Sequence, residues 1–158
     1  MHSHRLAVLA AALLVAVPTA SQAQSSFAPM VSANIPTGTF SNAFKTGWGL
    51  GAQFTKGNGL LTFVGEAGYN AFSRDSAGTF GEFTDDLGVW NFAAGLRGSL
   101  GPLYIGGLGS YYTEIDEFDI VPIVGFHILM LDLGFRYKGL LGDADWFGVT
   151  LGFHFGKW

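Results

Sequence analysis

Hydrophobic and polar residues alternate along most of the chain. From Phe147 to Phe155, phenylalanine, valine and leucine occupy one set of alternate positions, and glycine, threonine and His154 occupy the other. The same alternation runs through residues 48–55, 61–70, 90–97 and 131–138. A repeat of two residues sustained over this length is typical of β-strands, whose side chains point alternately to the two faces of a sheet. The pattern therefore predicts an all-β fold.

Eight strands account for this alternation. We place them at residues 28–35, 46–56, 60–71, 87–97, 102–113, 119–126, 129–138 and 146–157. The connections between them alternate between long segments, at residues 36–45, 72–86, 114–119 and 139–145, and short turns at residues 57–59, 98–101 and near Phe126. An even number of strands with alternating long and short connections is typical of an up-and-down antiparallel barrel.

The two faces of these strands indicate the surroundings of the barrel. Large apolar residues occupy one face, and glycine, alanine, threonine and a few polar residues occupy the other. The second face is unsuited to a water-exposed surface, and the bore of so small a barrel cannot hold the bulky face. Turned outward, the bulky face suits hydrocarbon, where closed barrels satisfy every backbone polar group. We therefore predict an eight-stranded antiparallel up-and-down transmembrane β-barrel.

The composition excludes several other classes of protein. Of the 158 residues, 13% are charged and 24 are glycine, whereas an average soluble domain has roughly 25% charged residues and about 7% glycine. The absence of cysteine excludes a disulfide framework, a cysteine-based metal site and a cysteine nucleophile. A net charge of −4 argues against a nucleic-acid partner, which requires a basic face.

The N-terminal residues are typical of a secretory signal peptide. Arg5 precedes twelve consecutive apolar residues, Leu6 to Val17, and small residues around Ala23 form a cleavage site. This apolar segment is shorter than the ~20 residues that span a bilayer as a helix. We therefore predict a cleaved signal peptide at residues 1–23 and an exported outer-membrane β-barrel domain at residues 24–158.

The first predicted hairpin and the C-terminus resemble a known family. Residues 32–40, SANIPTGTF, and residues 45–51, KTGWGLG, are similar to the first hairpin of the bacterial outer-membrane β-barrel domain family, which includes the OmpA-type membrane domain and OmpX-like small barrels. Residues 153–158, FHFGKW, resemble barrel C-termini that end on an aromatic residue. The resemblance implies the outer membrane of a Gram-negative cell, contact with its lipid and lipopolysaccharide, and recognition of the C-terminal strand by the barrel assembly machinery.

A small polar set is predicted to line the interior: Gln53, Glu66, Asn91, Arg97, Asp132, Arg136 and His154. If the last hairpin is centred near residue 143, Asp132 lies opposite His154, and Arg136 lies near Thr150. Isolated buried charges are costly, so we expect these charges to pair with one another. A proton-linked site or a narrow gate is the functional alternative.

Acidic residues concentrate in the predicted long loops. The strongest candidates are Asp85, Asp86, Glu114, Asp116, Glu117 and Asp119, with Asp75, Glu82, Asp143 and Asp145 nearby. Carboxylate oxygens suit hard divalent cations, so a cation bridge to lipopolysaccharide or to a surface partner is one hypothesis. The alternative that we favour is that these acids simply keep water-facing loops soluble.

Tryptophan positions predict an interfacial belt. Trp48, Trp90 and Trp146 fall at the long-loop ends of their predicted strands, and Trp158 falls at the opposite end. Amphipathic rings favour the boundary between membrane and water. We therefore expect these four side chains at the two membrane interfaces.

No motif indicates catalysis, so we predict a structural or surface-interaction barrel without cofactor or enzymatic activity. A narrow channel, a periplasmic ligand-binding barrel and a lipid A-modifying enzyme are the alternatives. An enzyme of the last kind needs a histidine beside a serine or an acid near the outer leaflet. The long loops offer Ser41, Ser73 and Ser76 without a histidine, and His127 and His154 are predicted toward the other end.

Overall fold

The computed structural model describes residues 24–58, 60–75 and 85–156. The predicted signal peptide, Glu82 and Trp158 lie outside these residues. Within the described part of the chain, no helix is long and apolar enough to cross a membrane.

Nine strands follow one another along the described residues. Their bounds are β1 Gln24–Pro36, β2 Gly47–Gly57, β3 Leu61–Phe72, β4 Leu87–Leu100, β5 Leu103–Tyr112, β6 Glu117–Ile128, β7 Leu131–Lys138, β8 Trp146–Phe153 and β9 Phe155–Gly156. The two residues of β9 follow His154 and pair with β1 in the register of β8, so β8 and β9 occupy a single place in the sheet.

The sheet closes on itself. Each strand from β1 to β8 pairs antiparallel with the next, and β1 pairs with β8 and β9 on its other side. The predicted eight-stranded antiparallel up-and-down barrel is confirmed. Closure leaves no sheet edge, so backbone donors and acceptors along the strands are satisfied within the sheet.

Connections at the two ends of the barrel differ in length. The long-loop end carries residues 37–46, 73–86, 113–116 and 139–145, and the short-turn end carries residues 58–60, 101–102 and 129–130. The prediction of a long loop at residues 114–119 is wrong. It is a four-residue turn, because Asp116 adopts a positive φ of 50° and its N–H bonds to the Thr113 carbonyl.

The turn predicted near Phe126 also lies at a different position in the structure. Phe126 pairs with Leu133 inside the ladder of β6 and β7, and the chain reverses at Leu129 and Met130. Leu129 adopts a positive φ of 57°, which closes the turn without glycine. Gly125, the glycine beside the predicted turn, lies within β6.

Large apolar residues cover the outside of the barrel. Trp90 and Phe92 are each 50% exposed, and Leu50 and Ile105 are more exposed still. Lys56, at the short-turn end of β2, is the one charged residue at the outward positions of the described strands. Polar residues face inward instead, as the alternation predicts.

An aromatic plug fills the long-loop end of the bore. The segment that joins β1 to β2 folds inward through a short 3₁₀ helix, Phe40–Asn42, and Phe40 is fully buried. The plug comprises Phe40, Phe44, Phe72, Tyr112 and Trp146. A second apolar cluster, which includes Val64, Leu108 and Val121, lines another part of the interior. The interior is therefore less polar than the sequence predicts.

Candidate functional site in the barrel interior

A chain of polar contacts crosses the barrel interior, beginning at an ion pair. Arg136 on β7 donates to both Glu66 carboxylate oxygens, at 2.7 and 3.2 Å. Gln53 on β2 donates to the same carboxylate at 2.6 Å. Glu66 has a fully buried side chain, so its charge is stabilised by these two neighbours.

Arg97 carries the chain from Gln53 to Asp132. Its guanidinium lies 3.5 Å from the Gln53 side-chain oxygen and 3.2 Å from Asp132 Oδ2. Arg97 is 1% exposed, so its charge is compensated by a buried carboxylate rather than by water.

Asp132 is the centre of the arrangement. Its Oδ1 accepts a 2.6 Å hydrogen bond from the Tyr104 hydroxyl, and its Oδ2 lies 3.4 Å from His154 Nε2. His127 Nδ1 approaches the same oxygen at 3.9 Å. One carboxylate thus meets an arginine, a tyrosine and two histidines at the short-turn end.

His154 continues the chain across the join between β1 and β8. Its Nδ1 lies 2.8 Å from Ser26 Oγ, which lies 2.7 Å from Thr55 Oγ1 on β2. Serine, histidine and aspartate are therefore in contact. The serine meets Nδ1 and the carboxylate meets Nε2, however, the reverse of the order in Ser-His-Asp hydrolases.

Two glycines make room for Tyr104. A Cβ atom on Gly125 would lie 2.5 Å from Tyr104 Cζ, and one on Gly134 would lie 2.8 Å from the Tyr104 hydroxyl oxygen. Side chains at these neighbouring positions of β6 and β7 would therefore displace the ring. Their absence lets the phenol lie across the two strands and reach Asp132.

The last hairpin is paired two residues away from the predicted register. Asp132 pairs with Gly152 and Arg136 pairs with Gly148, whereas Thr150 pairs with Gly134. The connection spans residues 139–145, so its centre lies one residue earlier than predicted. Asp132 and His154 are still in contact, as predicted, because their side chains share the inner face and lean toward each other. Arg136 does not pair with Thr150.

Asn91 belongs to a separate group of amides. Asn34 donates to Asn70 at 2.8 Å, and Asn70 donates to Asn91 at 2.9 Å. Six of the seven predicted interior residues thus form the charged chain, and Asn91 joins a neutral ladder beside it.

Two acids predicted in a loop lie on β6 and hold a different loop. Asp119 is fully buried and accepts hydrogen bonds from the backbone N–H groups of Gly139 and Leu141, at 2.6 and 3.0 Å. Glu117 pairs with Lys138 at 2.5 Å. Both carboxylates are therefore occupied in anchoring the connection between β7 and β8. Their proposed place in a water-facing loop is wrong.

The other candidate acids make local contacts at the long-loop end. Asp86 accepts from the Arg74 N–H at 2.8 Å, and Glu114 accepts from the Trp90 N–H at 2.7 Å. Asp116 accepts from the Tyr111 hydroxyl at 2.6 Å. Asp85 is exposed. These contacts shape individual turns.

Two predicted interfacial tryptophans lie on the outer face, and one does not. Trp48 and Trp90 flank Tyr69, with ring centroids 6.4 and 5.2 Å from that ring. Trp146 is 2% exposed and belongs to the aromatic plug. Its place on β8 is in phase with Gly148 and Thr150, which face inward, so the interfacial assignment of Trp146 is wrong.

A cavity of about 160 Å³ lies at the short-turn end, lined in part by residues that approach Asp132. Its lining includes Arg97, Tyr104 and His127, together with Gly101 and Pro102 of the turn between β4 and β5. A smaller cavity of about 30 Å³ lies near Glu66 and Arg136.

Comparison with known proteins leaves the family open. No protein-family model matches the chain, and no curated protein is similar to it. Any functional conclusion therefore depends on the geometry of the barrel.

Four members of the site are absent from the predicted interior set: Ser26, Thr55, Tyr104 and His127. His127 falls between two of the predicted strands. Ser26 lies before the predicted start of the first strand, and Tyr104 lies on a strand whose two faces are difficult to distinguish in the sequence. Thr55 is assigned to the inner face correctly but carries no signal of its role. If the first strand is extended back to Gln24, Ser26 lies two residues before Ala28 and therefore faces inward with it. This alternation is the signal that would have identified Ser26.

Proposed function

We propose that this protein is an integral β-barrel of the bacterial outer membrane with a structural or surface-interaction role. The observation that carries the proposal is the outer face of the described strands, which is almost free of charge and covered by large apolar side chains. A contiguous apolar surface of this extent is rare on monomeric soluble proteins. Hydrocarbon is the solvent that suits it.

The interior supports the same proposal. Glu66, Arg97 and Asp132 are buried and Arg136 is half-buried, and their charges are compensated by one another rather than by water alone. In a soluble barrel of this size the charges would be expected outside and the apolar side chains inside. The inverted arrangement is the one that a lipid environment favours.

The filled bore supports a role other than general diffusion. The aromatic plug occupies the long-loop end, and the polar chain crosses the rest. Eight strands leave an interior that side chains just fill. We therefore expect no steady conductance when the purified barrel is inserted into planar bilayers, and an open-channel current would support the narrow-channel alternative.

The long-loop end is the surface that we assign to interactions. Asp119 and Glu117 hold the connection between β7 and β8, and Glu114 holds the turn between β5 and β6. Loops fixed on a rigid scaffold are common recognition surfaces.

Membrane fractionation with heat modifiability tests the proposal. The protein should sediment with outer membranes, resist extraction by carbonate and migrate faster on a gel unboiled than boiled. Recovery in the soluble fraction without detergent, with no change of migration on boiling, would refute the membrane location.

Labelling of single cysteines tests the orientation, because the native chain contains no cysteine. Asp143→Cys lies at the long-loop end, and Met130→Cys lies at the short-turn end. An impermeant maleimide should label Asp143→Cys on intact cells and Met130→Cys only after the outer membrane is permeabilised. The opposite pattern would reverse the proposed orientation while leaving the barrel in the membrane.

A further inference from the structure

We propose that His127, Asp132 and His154 form a binding site for a first-row divalent metal ion, of which Zn²⁺ is the probe. His127 lies at the end of β6, Asp132 lies at the start of β7, and His154 directly follows β8, all at the short-turn end of the bore. This inference goes beyond the proposed function and does not depend on it.

The ligand atoms are close enough to share one ion. One ligand atom from each of His127, Asp132 and His154 lies within 4.8 Å of the other two. Two ligands bound about 2.1 Å from a tetrahedral zinc ion are separated by about 3.4 Å. The distance of 3.4 Å from His154 to Asp132 meets this value, and the 3.9 Å from His127 to Asp132 requires a shift of about half an ångström. Two imidazoles and one carboxylate suit zinc, iron, nickel or copper rather than calcium or magnesium.

Neighbouring polar side chains orient the ligands. When His154 Nδ1 donates to Ser26 Oγ, at 2.8 Å, the Nε2 lone pair faces Asp132. Ser26 is in turn held by Thr55. The Tyr104 hydroxyl fixes the other carboxylate oxygen of Asp132 at 2.6 Å. Ligating histidines and carboxylates commonly have outer partners of this kind, which set the tautomer and the direction of the lone pairs.

The cavity at the short-turn end provides a route to the site. His127 belongs both to the cavity lining and to the ligand set, and its side chain is 18% exposed, against 7% for Asp132. An ion entering this cavity would therefore meet His127 before Asp132 and His154. The fourth coordination position would be filled by water or by a small oxygen ligand from the cavity.

Arg97 sets a limit on the affinity. Its guanidinium lies 3.2 Å from the same Asp132 oxygen, so the metal must share the carboxylate with a fixed positive charge. Repulsion between the two cations weakens binding. We therefore expect a reversible site rather than one that requires metal to fold.

Titration with metal tests the site. The untagged protein, purified in detergent and treated with chelator, should bind one Zn²⁺ per chain by calorimetry. His127→Gln, His154→Gln and Asp132→Asn should each lower the affinity at least tenfold. Co²⁺ should produce visible d–d absorption in the native protein, and His127→Gln should abolish it.

Asp143→Asn is the matched control, because it removes an exposed carboxylate at the opposite end of the barrel. It should bind Zn²⁺ like the native protein. Boiling-dependent migration on a gel establishes that each variant is folded. Of the three ligand variants, His127→Gln should perturb folding least, because His127 lies at the opening of the cavity. If folded His127→Gln and the native protein bind Zn²⁺ equally, or if the native protein binds none, the metal site is refuted, whatever the outcome of membrane fractionation.

Discussion

Tyr104 reaches Asp132 across two positions that carry no side chain. Gly125 and Gly134 face its ring from β6 and β7, and the hydroxyl then donates to the carboxylate at 2.6 Å. The absence of side chains at Gly125 and Gly134 thus allows the position of the Tyr104 ring. This dependence explains why a small residue lies at the inner face beside a large one.

Gly125→Ala should therefore destabilise the barrel. The added methyl group would overlap the Tyr104 ring and the Leu133 carbonyl, and overpacking of this kind costs about 1–3 kcal/mol. Denaturant unfolding in lipid vesicles measures the difference. Gly107→Ala is the control, because a Cβ there meets nothing within 4 Å. Equal stability of the two variants would show that the ring adjusts freely.

Asp145 provides a pH-dependent prediction in the connection between β7 and β8. Burial raises the pKa of its carboxyl above the ordinary value, and the carboxylates of Asp119 and Glu117 add to the rise while Lys138 opposes it. The folded state therefore holds a proton more readily than the unfolded state, so ionisation of Asp145 lowers stability as the pH rises above about 4.

Asp145→Asn should remove this penalty. We expect the free energy of unfolding to increase by about 0.5 kcal/mol at neutral pH, the size of a partly screened charge interaction. The gain should vanish well below pH 4, where native Asp145 is protonated in both states. Unfolding curves at several pH values measure it, and a gain independent of pH would exclude ionisation as its cause.

The inner and outer faces could be predicted residue by residue where the alternation is clean. Glu66, Arg97 and Asp132 follow from it directly. Trp146 does not, because its position near the end of a strand suggested an interface while its phase places it inside. Ser26 and Tyr104 could not be recovered, because their roles depend on contacts with strands distant in sequence.

The connection between β1 and β2 is part of the interior rather than a free loop. Its 3₁₀ turn places Phe40 against Phe44, Phe72 and Trp146, with ring centroids 4.7, 5.2 and 5.7 Å away. Close aromatic pairs of this kind add to the stabilisation that burial supplies. Phe40 therefore joins this connection to two separate strands of the wall, through Phe72 on β3 and Trp146 on β8.

Phe40→Ala should destabilise the barrel by about 3–5 kcal/mol, the usual effect of truncating a buried phenylalanine. Phe54→Ala is the matched control, since Phe54 is 41% exposed on the outer face. Denaturant unfolding of both variants in lipid vesicles compares them. A smaller effect for Phe40→Ala than for Phe54→Ala would mean that the plug contributes little.

Elements with a periodic pattern were predictable, and those shaped by tertiary contacts were not. The bounds of β2, β3 and β4 lie close to their predictions. The turn at residues 113–116 appeared longer because the acids Glu117 and Asp119 resemble loop residues, although they anchor another loop from inside a strand. Phe40 and Phe44 carry no periodic signal, so nothing in the sequence places them in the bore.

At the scale of the whole molecule, the outer face of the described strands is almost free of charge. Under the proposed membrane location, Leu96 on β4 would face acyl chains, and Leu100 at the short-turn end would lie near the headgroups. Their exposures, 52% and 80%, place both on the surface. The same substitution at these two positions of one strand therefore tests whether the loss of stability depends on depth in the membrane.

Leu96→Arg should destabilise the barrel by about 2–4 kcal/mol, and Leu100→Arg by about 0–1 kcal/mol, because the penalty for arginine falls toward the interface. Unfolding in lipid vesicles measures both. Equal penalties would argue against a bilayer around the barrel.

The overall architecture was predictable because it depends on alternation summed over all strands. The path of the polar chain was less predictable, because it depends on the register between strands, and the register of the last hairpin differs from its prediction by two residues.

Closure between β1 and β8 has a consequence for biogenesis. The hydrogen bonds of β1 toward β8 and β9, and the Ser26–His154 contact, join residues more than a hundred positions apart. In a nascent chain that lacks residues 146–156, β1 still pairs with β2 and β7 with β6, but each has one unpaired edge that is able to recruit a foreign strand. Synthesis of these last residues is therefore the step that converts an aggregation-prone sheet into a sealed cylinder, and premature termination of translation before it should yield insoluble or degraded product.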